Sequence, residues 1–258
     1  MCERFLSSRP IPAAGWAFFL LIALFSVIAG PAIALHGEAA HEMAHDHGAS
    51  SSTQTAGPRW EGSLEGIAYS DRNHHVAGIL VLLIGLTELR GAFAITFLAW
   101  SRLLLPAAML SAGGLLMIWS DHDAWPIGSL NLGETFSGTD HEILQHKIYG
   151  ILSLAVGLIE LLRRTGRLHH TFWNIPLPAF AVIGGLMLFL HRHGIHPSAQ
   201  AIALNHAVMG TMAIVAGSCK LISARAASPS NPAGLSRWKL TWVGFILLIG
   251  LQLLFYSE

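Results

Sequence analysis

The sequence predicts an all-α membrane protein: three tandem transmembrane helical hairpins, six helices in all, preceded by a signal peptide or signal-anchor helix. Three observations carry this. Apolar stretches of bilayer length recur along the chain, charged residues are scarce, and one spaced pattern of His, Gly and charge occurs three times. Of the 258 residues, 53% are hydrophobic and 12% charged, about half the charge of a soluble domain. That balance excludes a disordered chain, a nucleic-acid binder and an ordinary cytosolic enzyme. Two cysteines, Cys2 and Cys219, are too few for a disulfide framework or a thiolate cage. The 15 histidines, as many as Lys and Arg together, are the anomaly.

Residues 1–35 open with Arg4 and Arg9 and continue into an apolar run ending in Ala32-Ile33-Ala34. A basic start, an apolar body and a small-x-small end read either as a cleaved signal peptide or as a retained first helix. Residues 36–72 form a polar, His-rich segment, and residues 73–258 the six-helix domain. Its spans run at roughly 74–90, 103–120, 144–162, 176–191, 204–223 and 239–256, each near the ~20 residues that cross a bilayer core. With the N-terminus in the cytoplasm, 11 of the 15 Lys and Arg fall inside, Arg90, Arg102, Arg163, Arg164 and Lys220 among them. The positive-inside rule then predicts a multi-pass topology with the N-terminus cytoplasmic if the first helix is retained and the C-terminus on the outer face, the periplasm if the membrane is a bacterial inner one. Only His169 and His170 lie on the inner side; the other 13 histidines fall at or beyond the outer ends of helices.

The repeat reads Asn73-His74…Gly78…Gly85…Glu88, Gln145-His146…Gly150…Gly157…Glu160 and Asn205-His206…Gly210…Gly217…Lys220. At about 100° per residue, the His, both Gly and the charged residue fall within about 40° of one line. Each such helix carries one stripe, and its glycines allow another helix to approach closely. The alternate helices repeat as well. Leu105-Pro106-Ala107 leads through Gly113-Gly114 to His122, and Leu177-Pro178-Ala179 leads through Gly184-Gly185 to His193. A third copy keeps Gly250-Leu251 and ends on Glu258. The hairpins are therefore 73–122, 145–193 and 205–258.

If the hairpins close around an axis, the equivalent His74, His146 and His206 gather at one depth about a common point. Three neutral imidazoles with an open fourth position suit zinc or copper. The preceding Asn73, Gln145 and Asn205 point about 100° away and suit orienting or loop contacts. A second tier comprises His122, flanked by Asp121 and Asp123, and the cluster His191-x-His193-x-x-His196. The segment holding His41, His45 and His47 adds Glu38, Glu42, Asp46 and Met43, the composition of a metal-gathering tract. The plainer alternative makes these histidines polar caps on loops. Glu88 and Glu160, close to Arg90 and Arg163, read as paired or snorkelling groups, with a proton path as the alternative.

The His41–His47 tract and the outer His191, His193 and His196 together resemble, in class and layout, bacterial polytopic inner-membrane proteins of the copper-resistance type. That resemblance implies copper or zinc bound at the periplasmic face, for storage, sensing or transfer to a periplasmic metal carrier. The segment Gln145-His146-Lys147-Ile148-Tyr149-Gly150 is similar to His-bearing helices of transmembrane b-type cytochromes. This second resemblance implies haem b, one or two groups, with axial pairs such as His146 with His206 or His74 with His146. A structural membrane subunit is the third reading. No nucleotide loop, catalytic triad spacing or zincin element occurs, so the sequence does not predict an enzyme, and no nucleic-acid partner is expected.

Overall fold

The computed structural model describes residues 60–93, 95, 99–138, 140–191, 198–226 and 237–258. The tract with His41, His45 and His47 lies outside the described residues, as do His193 and His196. Among the described residues there is no strand, and six helices are long and apolar enough to cross a membrane. The chain is thus a multi-pass membrane protein.

The helices are α1 (Leu64–Ala92), α2 (Leu104–Ile118), the short α3 (Leu132–Ser137), α4 (His141–Arg164), α5 (Pro176–Leu190), α6 (Ala199–Ala226) and α7 (Arg237–Leu254). Their starts follow elementary helix chemistry. The Ser63 hydroxyl accepts from the Gly66 amide, and the Asp140 carboxylate accepts from the Glu142 and Ile143 amides. Pro106, Pro176 and Pro178 occupy first turns, where no intrahelical N–H bond is lost. Two helices begin earlier than their apolar spans: α1 at Leu64 rather than near 74, and α6 at Ala199 rather than near 204. In α1 the extra turns carry Glu65, Asp71 and Arg72, which hydropathy excludes but which Ser63 caps as helix.

The six long helices form a closed ring in the order α1, α2, α4, α5, α6, α7. The closest packing lies between successive hairpins, at α1/α7, α2/α4 and α5/α6. Glycine dictates this. A Cβ on Gly185 would lie 2.6 Å from the Gly210 carbonyl oxygen, and one on Gly113 would lie 2.9 Å from that of Gly150. At the third seam, a Cβ on Gly78 would reach the Gly250 carbonyl at 3.0 Å. Only bare backbone permits such approach, and it replaces hydrophobic drive as the source of helix association in lipid. The outward faces expose Leu86, Ile151, Leu158, Leu186 and Leu251, an apolar belt facing away from the ring.

Because helix direction alternates, the histidines of α1, α4 and α6 share one end of the bundle, and Glu88, Glu160 and Lys220 share the other. We call these the histidine end and the arginine end. At the arginine end Arg164 donates to Glu88 at 2.7 Å and to Glu160 at 2.8 Å, while Arg163 also holds Glu160. Lys220 and the Trp242 indole both donate to the second Glu88 oxygen. Arg164 further donates to the Arg102 carbonyl at 3.1 Å. Glu88 thereby ties α1 to α4, α6 and α7 through groups that neutralise one another.

Candidate metal centre

His74, His146 and His206 lie in the N-terminal halves of α1, α4 and α6, whereas Asp121, His191 and Tyr256 lie just past the ends of α2, α5 and α7. The antiparallel seams bring each histidine against one of these end residues. His146 Nδ1 donates to Asp121 Oδ1 at 2.7 Å. His206 stands 5.0 Å from His191 between ring centroids, and His74 stacks on Tyr256 at 4.0 Å. Two further contacts close an arc: His191 to His146 at 5.0 Å and His74 to His206 at 6.1 Å.

The arc therefore runs His146, His191, His206, His74. Among the described residues, the group whose donor atoms all lie within 4.8 Å of one another is Glu142, His146 and His191. The repeated trio is not drawn together by itself. His191, from the second tier, stands between His146 and His206, and Glu142, not singled out in the sequence, completes the tight group. Its signal was nonetheless present: Glu142 precedes His146 by four residues, one helical turn, so both project from one face of α4.

The orientation of each ring follows from its hydrogen bond. The Asp121 carboxylate fixes the proton of His146 on Nδ1, and the Gln145 side-chain oxygen, 2.9 Å from His191 Nδ1, does the same there. A neutral imidazole with its Nδ1 proton so engaged presents its lone pair at Nε2. In His191 that atom stands 3.9 Å from Glu142 Oε1. With His191 neutral, an imidazole lone pair and a carboxylate stand on one side of the arc, a donor pair of the kind that ligates a divalent metal. Two imidazoles bonded to one tetrahedral metal at ~2.0 Å would have ring centroids about 5 Å apart, which is the spacing of His146 and His191.

Asp121 is itself buried. Burial works against its charged form, but His146, the Ser120 hydroxyl and Lys147 outweigh it and hold the carboxyl below its usual range. The Lys147 ammonium, fully buried, stands 3.3 Å from Asp121 and donates to the Leu116 and Met117 carbonyls at the end of α2. A cation there satisfies carbonyls that have no further helical turn to bond them. His75 does the equivalent at α7, its Nε2 donating to the Tyr256 carbonyl at 2.8 Å. Of the amides, Asn73 donates to the Trp119 carbonyl and Gln252 donates to Asn205. His122 is not brought to the arc: its ring stacks on Trp60 at 3.5 Å, and its Nε2 lies 3.1 Å from Asp123.

Beneath the arc lies a partly open cavity of about 300 Å³, lined by all six long helices, with His74, His146, His191 and His206 at one end. Comparison with protein-family models, curated proteins and solved structures finds no match to this chain.

Proposed function

We propose that this chain is a metal-handling membrane protein that binds one copper or zinc ion through Glu142, His146 and His191, with His206 next along the arc. The observation supporting this is the convergence of three donor groups within 4.8 Å, two of them imidazoles aligned by Asp121 and Gln145. One carboxylate and neutral imidazoles suit zinc and copper, whereas calcium and magnesium take oxygen donors. Asp121 acts as the carboxylate behind a ligating histidine, which orients the ring and raises its basicity. In this reading the histidine end faces the periplasm, as the distribution of Lys and Arg in the sequence suggests. The His41, His45 and His47 tract then gathers the ion ahead of the helical site.

The test is equilibrium dialysis of the purified full chain against zinc or copper, with metal counted by elemental analysis. One tight equivalent is expected, and His146→Ala/His191→Ala loses it. Full retention by that double variant overturns the site. An intrinsic Soret band in the purified protein would overturn it in favour of the haem reading, with the cavity beneath the arc as the place for a porphyrin.

A further inference from the structure

The central cavity has a chemistry that the metal reading does not use. Among the described residues its walls carry no Asp, Glu, Lys or Arg. Two of its hydroxyls are turned inward to backbone: Tyr149 donates to the Phe180 carbonyl and Ser153 to the Met109 carbonyl. Hydrogen-bonding groups therefore concentrate at one end, where the four imidazoles and Gln145 form the roof. Below them the wall is aliphatic, thioether and aromatic.

Below the roof the wall offers few of the polar partners that an ordered water needs. Three seams of this bundle close to backbone contact through glycine, so the helices are capable of packing without a void. The centre stays open instead.

We infer that this cavity binds a neutral amphiphile taken from the bilayer, its apolar body among Met109, Phe180, Met209 and Ile246 and its uncharged hydroxyl or carbonyl head under the histidine roof. A phosphate or ammonium head is disfavoured, since the wall offers neither a fixed cation nor a carboxylate. The way in is the α4/α5 seam, the least closely packed in the ring. Tyr149 spans it, stacked on Phe180 at 4.3 Å. The roof shares His146 and His191 with the metal reading, whereas the apolar wall below it does not depend on that reading.

The experiment uses the full chain in lipid nanodiscs, loaded with bromododecanol or with bromododecyl phosphate, then washed through excess empty nanodiscs. Retained probe is counted by mass spectrometry. About one bromododecanol per chain is expected to remain, as for a single pocket, and the phosphate is not retained. Ala213→Phe and, on another wall, Ala112→Phe fill the space and lower retention by about tenfold or more while metal uptake persists. Glu142→Gln does the reverse, losing metal and keeping the probe. Absence of retention by the wild type, equal retention of the phosphate, or undiminished retention in both filled variants overturns the proposal.

Discussion

The two ends of the bundle gather ionisable groups from the same helices at equivalent steps of one pattern, yet they solve opposite problems. At the arginine end every carboxylate meets a cation: Glu88 has Arg164 and Lys220, and Glu160 has Arg163 and Arg164. That set is closed on itself, with both carboxylates and Arg164 largely buried and Arg163 and Lys220 reaching partly to the surface. At the histidine end, Asp121, Glu142 and Glu258 share their surroundings with imidazoles, and Lys147 divides its bonds between Asp121 and the carbonyls of α2. Donor atoms with lone pairs outnumber the fixed cations there. The first network joins helices through opposite charges; the second is made of imidazoles and carboxylates, the donor types that ligate zinc and copper. The ends differ in charge balance, not in architecture.

Substitutions at each end should therefore separate stability from binding. The largest effect is expected for Glu88→Ala, which leaves Arg164 and Lys220 facing each other without their shared carboxylate. Removing one partner of a buried ionic set costs about 3–5 kcal/mol, read as a lowered midpoint of thermal unfolding in detergent. Metal uptake by the fraction that remains folded should be unchanged. Next is Asp121→Asn, which keeps the volume but removes the charge behind His146. Loss of such an orienting carboxylate lowers metal affinity by about 10–100-fold, or about 1.4–2.7 kcal/mol. Competition dialysis with a chelator measures it, and unaltered affinity would detach Asp121 from the centre.

Much of this was legible in the sequence, for a physical reason. Bilayer-spanning helices must satisfy their backbone internally, so length and hydropathy identify them, and the glycine stripe marks where they touch. The candidate site was harder to read because it arises where the copies of the pattern differ. The position one turn before the repeated histidine is Ser70 in α1, Glu142 in α4 and Ile202 in α6. Six residues past the paired glycines of the alternate helices stand Ser120, His191 and, in the degenerate third copy, Tyr256. Attention to equivalence selects His74, His146 and His206, whereas the donors that converge come from the one place where Glu142 and His191 coincide. Which helices share a seam was also hidden, since tandem hairpins favour the chain-adjacent partner and backbone contact at glycine decides otherwise.

The smallest effect is expected at His122, and it sharpens the contrast within the histidine end itself. Flanked by Asp121 and Asp123, this residue has the local composition of a ligand. Its ring instead lies flat on Trp60 and edge-on to Tyr69, a packing contact that pins the turn before α1 to the end of α2. His122→Ala should therefore leave metal stoichiometry and affinity at the wild-type level. It should lower unfolding stability by the value of an aromatic pair, about 0.5–1.5 kcal/mol. His122→Phe, which keeps the stack and removes both nitrogens, should restore that stability. A fall in metal affinity in His122→Phe would instead bring His122 into the donor set and extend the centre from α4 and α5 towards α1.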